Sequence, residues 1–122
     1  MSFKNEILLI ELEQFFAELK LEVQMKPKEA VFSKIMPTKR KFRADYYLPA
    51  QKIILEVNGG QFSDGRHTRG GKGYENDLVK SNLASLNGFF YLQYTYQMLA
   101  TGTYKNDILL ICAKNHIKNI IK

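Results

Sequence analysis

Residues 42–60, FRADYYLPAQKIILEVNGG, decide how this chain folds, because they read as a β-hairpin with an acid on each arm. Before the turn, Phe42, Ala44, Tyr46 and Leu48 alternate with Arg43, Asp45 and Tyr47. After it, Ile53, Leu55 and Val57 alternate with Ile54, Glu56 and Asn58. A period of two marks strands, whose successive side chains point to opposite faces. A two-residue loop at Ala50-Gln51 sets Pro49 against Lys52, and counting outward sets Asp45 against Glu56. Directly opposed residues have Cβ atoms roughly 5 Å apart, where like charges destabilise a sheet. Two such carboxylates are neutralised by protonation or hold a cation.

Upstream, residues 4–19 predict an amphipathic helix. Leu8, Leu12, Phe15 and Leu19 form its stripe, Phe16 widens it, and Ser2 is placed to cap it. After a loop at Pro27, KEAVFSKI (Lys28–Ile35) reads as a first strand. Downstream, residues 59–73, GGQFSDGRHTRGGKG, hold six of the chain's eight glycines and read as a loop. Tyr74–Asn87 predicts a helix with Leu78, Asn82 and Ser85 on one line and Leu83 and Leu86 on another, closed by a left-handed Gly88. FFYLQYT (Phe89–Thr95) predicts a strand. A turn at Gly102 leads to a final helix over residues 104–121, with Thr103 as its cap. Ile108, Ile111, Cys112, Ile117, Ile120 and Ile121 mark that helix's apolar side. The order α, β, β, β, α, β, α implies a mixed α/β sandwich around a short sheet.

At 122 residues the chain makes one domain with one modest core. Its 45% hydrophobic content belongs to a folded protein and not to a disordered tail. The single cysteine, Cys112, excludes an internal disulfide framework and a cysteine-based zinc cluster, and points to a reducing compartment. Acids interrupt the apolar residues near the N-terminus too early for a signal-peptide core, and no run of about 18 apolar residues occurs. A cytosolic protein with no membrane partner is the expectation. The net charge of +6 suggests a polyanionic partner. Its distribution sharpens this. Lys34, Lys39, Arg40, Lys41 and Arg43 crowd just before the acidic pair, and Arg66, His67, Arg69 and Lys72 just after it.

Asp45 and Glu56 are the leading candidates for a divalent-metal site, since hard oxygen ligands suit magnesium or manganese. The backbone carbonyl of Val57 is a further candidate ligand, and Glu13 on the first helix a candidate outer one. The plainer alternative is that each acid pairs with a neighbouring lysine or arginine. Gly59 and Gly60 after Glu56 weigh against it, because glycines at a strand end allow close approach of another backbone. Asn58 shares the face of Glu56 but carries no charge, so the cation wanted beside a phosphate must come from elsewhere. Lys80 is the first candidate and Lys72 the second; the plain alternative for Lys80 is a surface pair with Asp77. Arg40, Arg43, Arg66, Arg69 and Lys72 are candidate phosphate contacts, and His67 is read as one of them in preference to a general acid or base. His116 lacks such a context and reads as a surface or partly packed residue.

These motifs together resemble the PD-(D/E)XK nuclease superfamily. More narrowly, residues 39–95 are similar to small phage-type endonuclease-like proteins, with R-x-D, E-V-x-G-G, G-R-H-T-R-G and E-x-D-x-x-K-x-N-x-A in succession. In layout they are also similar to the very-short-patch repair endonucleases. The resemblance implies a restriction-endonuclease-like αβββαβ core plus a C-terminal helix, Mg²⁺ or Mn²⁺ as cofactor, and a bacterial or phage-encoded cytoplasmic protein. It implies that Asp45 and Glu56 are metal ligands. Asn58 stands where the superfamily has lysine, and Ala44 where it has proline. A lysine migrated to the next helix is known in the superfamily, which implies Lys80 as its replacement.

The expected activity is a metal-dependent DNA endonuclease, hydrolysing phosphodiester bonds by attack of a metal-activated water, with Asp45, Glu56, Asn58 and Lys80 as its site. Double-strand cutting from one small domain would call for a homodimer. The alternative is a nucleic-acid-binding module of nuclease ancestry that does not cleave. A third class, a protein-interaction domain with an incidental acidic pair, would bind neither metal nor DNA.

Overall fold

The computed structural model describes residues 2–58 and 72–121. Its elements in chain order are α1 (Phe3–Glu18), β1 (Gln24–Met25), α2 (Phe32–Ile35), β2 (Tyr46–Leu48), β3 (Ile53–Asn58), α3 (Lys72–Leu86), β4 (Phe90–Thr95), α4 (Tyr96–Thr101) and α5 (Thr103–Ile121). The sheet order is β1-β2-β3-β4, antiparallel except for the parallel β3–β4 pair. Parallel neighbours need a long crossover, and α3 supplies it. The architecture is α/β: a small mixed sheet flanked by helices, with a C-terminal helix.

The hairpin forms in the register that its alternation predicts. Tyr46, Tyr47 and Leu48 face Leu55, Ile54 and Ile53. The Lys52 N–H donates to the Pro49 carbonyl at 3.2 Å, closing the turn around Ala50-Gln51, and Lys52 takes a left-handed φ of 58°. Ser2 caps α1 by accepting from the Asn5 N–H at 3.1 Å. Gly88, at φ 81°, ends α3 in a Schellman arrangement, with Phe89 N–H on the Ala84 carbonyl and Gly88 N–H on that of Ser85.

Three expectations are corrected. The first strand is not Lys28–Ile35: β1 is the two-residue Gln24–Met25, and Phe32–Ile35 turns helical. Phe32, wholly buried, is better packed by that turn than along a sheet edge. Of the expected strand only a bridge between Val31 and Arg43 remains. Thr103 lies inside α5 as its first residue and is not its cap; the capping threonine is Thr95, which starts α4 by accepting from the Met98 N–H. Ile117 and Ile120 of α5, and Leu78 and Leu86 of α3, face outward, while Ala84 is the buried residue of α3.

The core has two halves, one on each face of the sheet. On the first face, Leu12, Phe15 and Phe16 of α1 and Tyr104, Ile108 and Ile111 of α5 cluster with Tyr46, Leu48, Ile53, Leu55 and Tyr94. On the second, Ala84 of α3 and Phe32 of α2 join Ala30, Ala44, Tyr47, Ile54 and Phe89. Both faces being covered, residues 53–56 are buried without a break. Among the described residues no helix is long and apolar enough to cross a membrane.

Candidate functional site

Glu56 lies two residues beyond Ile54 on β3 and so points to the same face, the one covered by α3. On α3, Lys80 precedes Ala84 by four residues and shares its side of the helix. One helical turn rises about 5.4 Å and two strand residues span about 6.7 Å, so the two steps nearly match. With Ala84 seated in the cluster that holds Ile54, Lys80 reaches Glu56: Nζ lies 3.4 Å from Oε1. Both side chains are largely buried, at 16% and 8% exposure. The plain alternative for Lys80, a surface pair with Asp77, gives way to this contact. The same lysine sits 5.7 Å from the centre of the Phe42 ring.

Burial is the main force on Glu56 and pushes its carboxyl up to about 7; the charge of Asp45 adds to the rise, and Lys80 opposes it. Its second oxygen, Oε2, is buried with no hydrogen-bond partner among the described residues. A buried carboxylate oxygen left unpaired is costly, and it is the kind of hard donor that a divalent cation or a proton would satisfy.

Asp45 immediately precedes β2, where the ladder stops. Its Oδ2 accepts the Val57 N–H at 2.9 Å, so the carboxylate substitutes for the next backbone acceptor. Asp45 also borders a cleft of about 280 Å³ on the α1 face, shared with Glu13, Lys26, Val57 and the apolar side chains of Leu9 and Met25. Within it, Glu13 Oε2 accepts from the Tyr46 hydroxyl at 2.7 Å. Burial, then this bond to Glu13, raise the Tyr46 hydroxyl far above the ordinary tyrosine range, and the charge of Asp45 adds to it. Asp45 therefore stands between two carboxylates, Glu56 toward α3 and Glu13 toward α1. Among the described residues no group of three or more His, Cys, Asp or Glu side chains is gathered closely enough to hold a metal ion by itself.

The remaining candidates are placed as follows. The Asn58 amide donates to Gln93 on β4 at 3.1 Å. Arg40 lies over the Phe42 ring at 4.5 Å and donates to Asn76 of α3 at 3.2 Å, strapping the segment before the hairpin to that helix. Arg43, itself mostly exposed, sits 3.9 Å from Glu29, whose side chain is largely buried. His116 is exposed on α5. Arg66, His67 and Arg69, and the side chain of Lys72, lie outside the described residues.

Two members of the neighbourhood escaped the sequence reading. Tyr91 of β4 packs on the α3 face; burial, followed by the charges of Glu56, Asp77 and Asp45, raises its hydroxyl well above the usual range. Phe42 offers its ring to both Arg40 and Lys80. Phe42 shows in the alternation only as an apolar residue, and Tyr91 depends on a parallel register that spacing does not encode. Comparison of the chain with family models, with curated proteins and with solved structures gave no match.

Proposed function

We propose that the chain is a metal-dependent DNA endonuclease of the PD-(D/E)XK type, hydrolysing phosphodiester bonds with Mg²⁺ or Mn²⁺. The observation that carries this reading is the buried Lys80–Glu56 contact with Glu56 Oε2 left unpartnered, beside Asp45 just before β2, whose charge acts on Glu56. An amine held beside a carboxylate pair is what the superfamily pattern needs once Asn58 has replaced its lysine.

The donor set fits the cofactor: hard carboxylate oxygens, one of them buried and unpartnered, suit an ion that keeps several waters and takes others of its ligands from phosphate. Asp45 and Glu56 would hold it, with Glu13 at the edge of the cleft as an outer contributor and the Val57 carbonyl as a further candidate. Bound there, the ion would neutralise phosphate charge and lower the pKa of a coordinated water. The chain's own groups act around it. The Val57 N–H fixes the orientation of Asp45, and Lys80 supplies positive charge beside Glu56. Arg40, strapped beside α3, is positioned to meet a phosphate backbone arriving from that side.

A second reading, nucleic-acid binding without cleavage, draws on one observation: the Asn58 amide is engaged by Gln93 and brings no charge. A cleavage panel of plasmid, nicked, mismatched and branched DNA with each metal separates the two. The wild type is expected to cut with magnesium or manganese, Asp45→Ala to be inert, and Lys80→Ala to lose most turnover. Salt-sensitive binding with every substrate left uncut would favour the binding module, and neither binding nor cutting would sink both readings.

A further inference from the structure

Two helices carry a second apolar stripe that the fold leaves uncovered. At 3.6 residues per turn, Phe3, Ile7 and Ile10 of α1 fall about half a turn from its buried Leu12, Phe15 and Phe16. They are 77%, 39% and 52% exposed. On α5, Leu109, Leu110, Ile117 and Ile120 lie about half a turn from the buried Tyr104, Ile108 and Ile111, and are 45–65% exposed. A helix that is apolar on opposite sides ordinarily has a partner on each. Both helices belong to the core of the same sheet face, and the Phe15 and Tyr104 rings meet edge-on at 5.7 Å, so the stripes lie on neighbouring elements.

The charges beside the stripes differ in sign. Glu6 flanks the α1 stripe on one side and Glu11 and Glu18, with Lys4 among them, on the other, while Glu13 is occupied by the Tyr46 hydroxyl. Lys114 and Lys118 flank the α5 stripe on one side, Lys105 on the other, while Asp107 of α5 is occupied by the Tyr94 hydroxyl. Four of the chain's 12 acidic residues thus lie on α1 of a protein whose net charge is +6.

We propose that a second copy of this chain covers this surface, with α1 of each protomer against α5 of its partner about a two-fold axis. Pairing α1 with α1 would oppose glutamates, and α5 with α5 would oppose lysines; α1 with α5 sets apolar stripe on apolar stripe between rows of opposite charge. The arrangement closes on itself, so assembly stops at two. It does not depend on the catalytic reading, and because α3 packs on the other sheet face it leaves Lys80 and Arg40 uncovered.

The test is the mass of the full chain in solution by light scattering, over a range of concentrations. The wild type is expected to be a dimer, and Leu110→Glu/Ile117→Glu a monomer with unchanged circular dichroism and melting temperature, since both residues are already exposed in one protomer. A triple variant Glu6→Lys/Glu11→Lys/Glu18→Lys and a double variant Lys114→Glu/Lys118→Glu should each dimerise at least about tenfold more weakly, about 1.4 kcal/mol. Mixed, they should form a heterodimer near wild-type affinity. A wild type that stays monomeric, a dimer that survives Leu110→Glu/Ile117→Glu, or variants that do not rescue each other on mixing would overturn the proposal.

Discussion

Where α1 and α5 meet the sheet, the layer between them is hydrocarbon and aromatic ring: Leu12, Phe16, Leu48, Ile53, Leu55 and Ile108 are all at or below 1% exposure. Where α3 meets the sheet's other face, three of the buried residues are alanines, Ala30, Ala44 and Ala84, and the layer continues toward the end of β3 as an ion pair. The first face gains stability in proportion to the apolar area it removes from water. The second places a carboxylate and an amine where desolvation offsets most of their attraction, so an apolar replacement of both would serve the fold about as well. The contrast teaches that pH and charge should act on the α3 face more strongly than on the hydrocarbon layer of the first.

The largest effect expected is on the hydrocarbon face. Phe16→Ala should lower the unfolding free energy by about 4 kcal/mol, measured by denaturant titration. The loss should be equal at pH 5 and pH 8, because Tyr46, the titratable side chain whose ring Phe16 touches, stays protonated throughout that range; a strong pH dependence would break the contrast. On the other face, Lys80→Met strands the buried Glu56 charge and should cost about 3 kcal/mol at pH 8. Most of that should return at pH 5, where Glu56, raised to about 7 even beside the amine, carries a proton in both forms. Equal losses at both pH values would mean that Lys80 acts through its packing alone.

A somewhat smaller effect should appear in the unmodified chain. Burial raises the Glu56 pKa from 4.5 to about 7 in the folded state. Between these values the folded form binds more protons than the unfolded form, so this contribution to stability is complete below pH 4.5 and is lost as pH rises toward 7. Its size is on the order of 2 to 3 kcal/mol. Melting temperatures of Glu56→Gln, set against the wild type across that window, should show the slope disappear; parallel curves would remove Glu56 as its source.

The hairpin was legible because two local signals agreed, alternation along each arm and a two-residue loop, and together they fix which residues face each other. The first helix was legible for the same reason, its stripe being periodic; α3 and α5 were legible as helices, but Leu78, Leu86, Ile117 and Ile120, assigned to their apolar sides, face outward. What was missed is short or non-local. Gln24–Met25 is too brief to carry any period, and KEAVFSKI has strand composition but is bent by the need to bury Phe32. Tyr96–Thr101 follows β4 with no polar break, so its helix was hidden at the end of an aromatic run. Of the site, Asp45, Glu56 and Lys80 were named from sequence, yet the split between them was not. Glu56 turns toward α3, while Asp45, which lies just before β2 and outside its ladder, borders the cleft with Glu13 on the α1 side, where alternation no longer fixes a face.

The hydrogen bond from the Val57 amide to Asp45 makes that amide a gauge of the carboxylate. A hydrogen held by an ionised oxygen resonates downfield and exchanges slowly with solvent. A cation bound at that carboxylate, or a rearranged strand end, changes the bond and so moves the signal. Occupancy of Asp45 can thus be followed on a neighbouring backbone atom, in the native chain, with no label at the site and no turnover required.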